Sequence, residues 1–368
     1  MTHFLSLSDA ELRHWLAERG HAGYRAPQIH RWLAQGRARS FEEMTDLPAA
    51  LRAQLQDAFC LWAAEVVARR AADDGTEKLL LEFPGGGRIE CVLLRDGRRR
   101  TICISTQIGC AMGCVFCASG LAGLDRNLSA GEILEQMFQL ARLLPAEERL
   151  SHVVVMGVGE PLANLGQLLP ALEHACSPQG LGISPRRVTI STVGLPAAMD
   201  RLAASCPRYH LAVSLHAPND ALRSRLVPAN RRWGLQAVLQ AADRYCYASG
   251  RRLTFEYVLL AGVNDQPEHA RQLVQLLKSR PALLNVIPCN PVTGLPYRMP
   301  SAAAQRRFRA ILEAGGLNVQ FRERKGDSID AACGQLRRGV PGPWTETAHA
   351  EPAGDQGPQK LCRSRGVE

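Results

Sequence analysis

Over the first sixty positions apolar residues return every third or fourth place, as one buried face of a helix requires. Leu12, Trp15 and Leu16 follow Ser8 and Glu11, whose spacing is that of a capping box. Ile29, Trp32 and Leu33 mark a second helix, and a third spans about 48–59. Residues 1–60 are thus expected to form a small helical unit. Its arginines, Arg25, Arg31, Arg37 and Arg39, fall on the outer side, as a solvated face or an RNA-docking surface. From Glu65 the period shortens to two, and Gly and Asp turns separate EVVARRAADDGTEKLLLEF, RIECVLL and RRRTICIS. That is the pattern of a small antiparallel meander over 61–100. By pattern alone Glu90, between Ile89 and Cys91, is an outward-facing strand residue.

Beyond residue 128 the two periods alternate. Ser129 and Glu132 form another capping box, opening a helix that runs to about Leu144. Apolar, β-branched stretches at 151–157, 187–192, 210–217, 253–260, 283–288 and 318–324 read as strands. Helical stretches at 165–176, 196–204, 233–247, 267–279 and 301–314 separate them. With TICIS (101–105) this gives about seven βα-like units, hence an α/β fold with a parallel sheet covered by helices. An open doubly wound sheet and a full or partial barrel both satisfy the periodicity. The stretch from 338 to 368, rich in Pro, Gly and charge, is expected to be disordered, with Cys362 a spare thiol.

Composition changes this picture modestly. The 368 residues, 46% of them hydrophobic, are ample for a sizeable core. The net charge of +9 favours a polyanionic partner, and only four of the 44 basic residues are lysine. Arginine-favouring codons of a GC-rich genome explain the same excess. No run of about 18 apolar residues is present, and the N-terminus carries charge where an export signal needs an apolar core. A cytoplasmic protein with no membrane association is expected. The twelve cysteines are then reduced thiols, metal ligands or catalytic groups rather than a disulfide scaffold.

The chemistry gathers at the ends of the expected strands. Cys110, Cys114 and Cys117 stand at a C-x3-C-x2-C spacing in the first loop; Glu160 follows the second strand; Ser191 and Thr192, Ser214 and His216, Asn264 and Asn290 follow the others. Polar groups at the carboxyl ends of parallel strands are the layout of an α/β active site. Three thiolates bind either zinc or an iron–sulfur cluster, and Cys103 stands upstream as a conceivable fourth ligand. A cluster held by three cysteines keeps one coordination position for a small molecule.

The C-x3-C-x2-C loop with Phe116 before its last cysteine resembles the radical S-adenosylmethionine (SAM) superfamily. TICISTQIGCAMGCVFCASG, GLDRNL, MGVGEPLAN, VTISTVG, LAVSLHAPND, FEYVLLAGVND, NVIPCNP and KGDSIDAACGQL narrow the resemblance to the RlmN/Cfr family of RNA adenine methyltransferases. YRAPQIHRWL and FEEMTDLP extend it to the N-terminus, so it runs to about residue 337. The resemblance implies a partial (β/α)6 barrel of TIM-like, radical SAM type over 101–337, preceded by the helical domain and the β extension. It implies a [4Fe–4S] cluster on Cys110, Cys114 and Cys117. It also implies a SAM pocket formed by Gly159, Glu160, Ser191, Ser214, Leu215, His216 and Asn290.

Two further cysteines gain roles from the resemblance alone. Cys333 is first methylated by one SAM; a second SAM, cleaved by an electron from the cluster, gives a 5′-deoxyadenosyl radical that takes hydrogen from the S-methyl group. The methylene radical adds to the adenine, forming a covalent protein–RNA adduct. Cys103 resolves it by a transient disulfide with Cys333, and Glu90 accepts the ring proton. The implied products are 2-methyladenosine in 23S rRNA and at the adenosine beside the anticodon of tRNA. The implied partners are 23S rRNA, tRNA and an electron donor such as flavodoxin or ferredoxin, with the chain acting as a monomer. The chain departs from the family at Thr106, Val158, Cys289 and the stretch 319–328; none of these is a ligand or a catalytic thiol. A C8-directed enzyme of the Cfr type and a non-enzymatic, zinc-containing RNA-binding protein are the alternatives.

Overall fold

A computed structural model describes residues 1–121, 123–322 and 325–336. The N-terminal unit holds a two-residue strand β1 (Thr2–His3), helices α1 (Asp9–Glu18), α2 (Arg25–Arg31) and α3 (Ala49–Ala58), and strand β2 (Phe59–Cys60), which pairs in parallel with β1. The Ser8 hydroxyl accepts from the Glu11 N–H at 3.2 Å, and the Glu11 carboxylate accepts from the Ser8 N–H at 2.7 Å, completing the expected capping box. Leu12, Leu16, Ile29, Leu33, Leu51 and Leu55 are fully buried, with Phe4 edge-on to both Phe41 and Phe59. A π turn over Trp32–Gly36 extends α2 and ends in the left-handed Arg37 (φ 53°).

Arg37 departs from the outward placement expected of it. Its guanidinium donates to the carbonyls of Leu144, Pro145 and Glu148, clamping the helical unit to the rest of the chain. Three carbonyls left open beyond a helix end are a matched acceptor set for a planar fork of donors.

The antiparallel strands β3 (Glu65–Ala71), β4 (Glu77–Phe83) and β5 (Gly87–Asp96) lead into β6 (Arg99–Cys103). A two-stranded ribbon follows, β7 (Gln107–Gly109) with β8 (Leu124–Asn127), and then α4 (Ala130–Ala141). The alternation continues as β9 (His152–Val155), α5 (Leu165–Cys176), β10 (Val188–Thr192), α6 (Pro196–Ser205), β11 (His210–Ser214), α7 (Asp220–Leu226), α8 (Asn230–Ser249), β12 (Leu253–Leu259), α9 (Pro267–Leu277), β13 (Ala282–Pro288), α10 (Ala302–Ala314) and β14 (Val319–Phe321).

Among the described residues, ten strands form one sheet in the order β14-β13-β12-β11-β10-β9-β6-β5-β4-β3. Neighbours from β6 to β14 run parallel, and β5, β4 and β3 continue the sheet antiparallel. The meander is therefore an extension of the barrel's own sheet. Six strand–helix units beginning at β6, followed by β14, reconcile about seven strands with a six-unit partial barrel. The sheet does not close, so its concave face is left for a ligand.

The core strands are apolar because helices cover the sheet: Val153, Val155, Val188, Ile190, Leu211, Val213, Phe255, Leu284 and Val286 are all buried. The stretch after β11 differs from the single helix expected there. Asn219 caps a separate short helix, α7, and Gly234 (φ 65°, ψ 155°) kinks the start of α8. No helix among the described residues is long and apolar enough to cross a membrane. The expected disordered tail and Cys362 lie outside the described residues.

Helix α4 is buried almost along its whole length, including Glu132, Glu135, Gln136 and Gln139. Each of these polar groups has work. Glu135 accepts from the N–H groups of Ala63 and Ala64 at 2.9 and 3.0 Å and lies 3.2 Å from His3 Nε2, fixing the junction with the helical unit. Gln136 pairs with both backbone groups of Ser105, which sits just beyond β6. Burial without such partners would cost more than the packing returns.

Candidate functional site

The cysteine loop is bracketed by the β7–β8 ribbon. Gly109 closes it with φ 80°, and a Cβ there would lie 2.0 Å from the Gly123 carbonyl oxygen, so only glycine fits. The Cys110 N–H donates to Gly123 O at 2.8 Å and the Cys117 N–H to Cys114 O at 3.1 Å. Two further bonds tie the loop outward, from Val115 N–H to Leu226 O at 3.1 Å and from Ala118 N–H to Gly334 O at 2.9 Å. Cys110, Cys114 and Cys117 line one cleft of about 840 Å³, its open mouth included.

Burial pushes the Cys110 thiol up to about 12 and raises those of Cys114 and Cys117, so ligation has to displace their protons. Among the described residues no three His, Cys, Asp or Glu groups converge as a single ion demands. Three thiols lining one cleft are a donor set for an iron–sulfur group.

Glu160 stands opposite the loop. Its N–H donates to Gln107 Oε1 at 2.8 Å, and its carboxylate accepts from Leu162 N–H (3.0 Å), Val193 N–H (2.9 Å) and the Thr192 hydroxyl. Burial nonetheless raises its pKa. Beside it Gly159 (φ 107°) brings the chain so close to Gln107 that a Cβ would meet its side chain at 2.6 Å. Ser191 and Ser214 face each other, their hydroxyl oxygens 3.4 Å apart, and both line the cleft.

His216 adopts a left-handed backbone (φ 59°), held by Asn264 Nδ2 donating to its carbonyl at 2.9 Å. Its Nδ1 accepts from Val258 N–H at 3.1 Å, so the ring proton sits on Nε2. Burial and then the charge of Arg223 push the ring down to about 3, and it stays neutral. The ring lies edge-on to Phe116 at 4.8 Å and lines the cleft.

Three residues expected on this surface sit elsewhere. Leu215 is fully buried off the cleft wall, its N–H given to Glu256 O and its carbonyl accepting from Arg223. Asn264 is spent inside its own turn, donating to Val258 O and His216 O and accepting from Leu260 N–H. Asn290 reaches the site through the chain, donating from Nδ2 to the Cys333 carbonyl at 3.1 Å.

Cys333 lines the cleft. Cys103, at the end of β6, is buried in an apolar cluster with Val92, Val158, Ile329 and Ala331 and does not line the cleft. Burial pushes the Cys103 thiol up to about 12, and the nearby Cys333 adds to the rise. Both thiols are free, with no disulfide between them.

Glu90 is not outward-facing: it is buried, 2.9 Å from Lys78 Nζ on the neighbouring strand β4. It does not line the cleft. Glu256 and Arg322 were not singled out by spacing. Glu256 lines the cleft from β12, accepts from Asn285 Nδ2 at 2.7 Å, and burial pushes its carboxyl up to about 7. Arg322 follows β14 and places Nη1 3.6 Å from Cys333 Sγ. A lone acid within the apolar strand LTFEYVL was the available signal for Glu256; for Arg322 there was none.

Residues 2–61 match the model of the ribosomal RNA large subunit methyltransferase N-terminal domain, and residues 104–274 match that of the radical SAM superfamily. The chain is 66% identical over 336 residues to a probable dual-specificity RNA methyltransferase RlmN of Rhodopirellula baltica, covering 91% of each chain. It is 47% identical over 334 residues to a protein of the same description from Moorella thermoacetica, covering 89% of this chain and 94% of that one. A radical SAM methyltransferase from Sphaerobacter thermophilus superposes with a TM-score of 0.89 at 42% identity, over 92% of this chain and 100% of that one.

Proposed function

The chain belongs to the RlmN family of radical SAM RNA methyltransferases, and from that premise we propose that it forms 2-methyladenosine in 23S rRNA and beside the anticodon of tRNA. The single observation carrying the detailed reading is that Cys333 shares the cleft with the three-cysteine loop while a second thiol, Cys103, lies within electrostatic range of Cys333. Cys110, Cys114 and Cys117 are the residues that would hold the [4Fe–4S] cluster. The cluster with SAM supplies one-electron chemistry able to reach an amidine carbon that ordinary nucleophilic attack cannot methylate.

The remaining roles concern this chain's own groups. Gly159, Glu160, Ser191, Ser214 and the neutral His216 offer the mixture of acceptors and donors that a zwitterionic, ribose-bearing ligand needs. Cys333 carries the methyl group, and Cys103 attacks the Cys333 sulfur to free the methylated RNA, leaving a disulfide that a reductant clears. Two SAM molecules are used per turnover, one for Cys333 and one for the radical. Glu90 is the proton acceptor only if the RNA-bound state opens its contact with Lys78. An acidic flavodoxin or ferredoxin delivers the electron to a monomeric enzyme. The adenine is extruded from its stack to reach the cleft.

The test is anaerobic reconstitution with iron and sulfide, followed by incubation with rRNA or tRNA, SAM and a reductant. Nucleoside digestion and mass spectrometry are expected to reveal 2-methyladenosine; absence of any methyladenosine from both substrates sinks the proposal, and 8-methyladenosine redirects it to the C8 position. A colourless protein with one zinc would support the RNA-binding alternative.

A further inference from the structure

We propose that Arg322 is a catalytic residue whose guanidinium selects Cys333, rather than the nearby Cys103, as the nucleophilic thiol. The inference deepens the reading of Cys333 as methyl carrier and rests on it. Its basis is geometric: Arg322 Nη1 lies 3.6 Å from Cys333 Sγ, within hydrogen-bond reach of a sulfur acceptor.

The guanidinium is well placed to hold that position. Arg322 immediately follows β14, and its N–H donates to Val286 O on β13 at 2.9 Å, so the side chain starts from the end of the sheet rather than from a free loop. The groups within electrostatic range of it are Cys333 on its segment, Glu256 from β12 and Cys103 from β6, with Cys333 exerting the largest effect. Cys117 of the cysteine loop also lies within electrostatic range of Cys333. The Cys333 backbone is pinned separately by Asn290, and the preceding Asp330 carbonyl by Lys78 Nζ at 3.0 Å. Sulfur and guanidinium are thus both fixed from behind.

Two thiols compete for one methyl group here, and only a thiolate is a strong nucleophile. Cys103 packs among Val92, Val158, Ile329 and Ala331, where burial keeps its proton on. Cys333 has a cation at its sulfur, and charge-assisted hydrogen bonds favour the anionic acceptor. In the methylation step a carbon–sulfur bond forms to Cys333 and the donor's carbon–sulfonium bond breaks, its electron pair staying on the donor sulfur. The thiol proton passes to water. Once methylated, Cys333 carries no charge.

The experiment compares alkylation of Cys333 by iodoacetate, an anion, and iodoacetamide, its neutral analogue, in anaerobically purified full-length protein. Peptide-resolved mass spectrometry reads the unmethylated fraction of Cys333 alone. Loss of the cation should slow the anionic reagent more than the neutral one, which a merely structural defect would not do. Arg322→Gln is expected to lower the iodoacetate-to-iodoacetamide rate ratio about fivefold or more, and Arg322→Lys to retain most of it. Glu256→Gln, which removes the opposing charge, is expected to raise the ratio and gives a second reading should Arg322→Gln fold poorly. A ratio unchanged in both Arg322→Gln and Glu256→Gln overturns the inference. The methyl-carrier reading fails separately, if wild-type protein that methylates RNA never shows S-methylcysteine at position 333.

Discussion

Lys78 Nζ lies 2.9 Å from Glu90 Oε1, with both side chains almost wholly out of water, and the same ammonium holds the Asp330 carbonyl three residues before Cys333. One buried cation therefore joins the antiparallel extension of the sheet to the segment that bears the cleft thiol. Removing one partner of a buried ion pair leaves the other charge less well compensated, which costs more than removing both. Lys78→Met is expected to destabilise the protein by about 3–5 kcal/mol, and Lys78→Met combined with Glu90→Leu to recover much of that loss. Urea denaturation of the two variants decides it; equal stabilities would show that the pair is not coupled.

Cys103 packs in an apolar cluster with Val92, Val158, Ile329 and Ala331, within electrostatic range of Cys333, and does not line the cleft beside the three loop thiols. Cys103→Ala should assemble the iron–sulfur chromophore to wild-type iron content yet accumulate protein bound to RNA, visible as a species that survives a denaturing gel. Loss of the chromophore in this variant would place Cys103 among the ligands and refute the division of labour.

At Gly109 the obstruction is backbone: a Cβ would sit 2.0 Å from Gly123 O, and φ is already 80°. No rotamer can relieve it. Gly109→Ala should cost about 1–3 kcal/mol of strain at the least, and it should open the ribbon that closes the cysteine loop. Iron bound per chain after reconstitution is the measurement, expected to fall well below wild type while far-ultraviolet circular dichroism stays close to it. Full iron loading would mean the ribbon does not hold the loop.

Much of the fold was legible because the strands under the helices are continuous apolar runs, and strand ends fall where Cys110, Glu160, Ser191 and Ser214 stand. What periodicity missed has physical causes. Gly234 leaves the helical region inside α8, four residues after its start, a kink that periodicity does not show. Arg37 finds its partners far along the chain, at Leu144 to Glu148, and Glu90 finds Lys78 across the β4–β5 hairpin, so local pattern gave both to solvent. Asn264 carries the right chemistry for a ligand but spends it on its own turn and on the His216 carbonyl. The roles of Cys103 and Cys333 came from the family resemblance, since 230 residues separate two thiols that only the barrel brings together.

Two buried groups titrate with opposite sign over nearly the same range. His174 on α5 meets His30 on α2 edge-on at 5.2 Å, where the helical unit docks on the barrel, and burial followed by the His30 charge pushes its ring down to about 4. Between that value and the ordinary 6.5 the unfolded chain binds more protons, so His174 contributes stability that is lost as the pH falls. Glu256, pushed up to about 7 by burial, holds a proton in the folded state that the unfolded chain releases above 4.5, so its contribution is lost as the pH rises. In the wild type the two slopes oppose each other, and single substitutions should expose each. Relative to wild type, His174→Phe should tilt the stability curve downward with rising pH, and Glu256→Gln should tilt it upward, each by up to about 1.4 kcal/mol per pH unit between pH 5 and 6.5. Urea midpoints at the two pH values test both signs at once, and parallel curves for all three proteins would show that neither group titrates in that window.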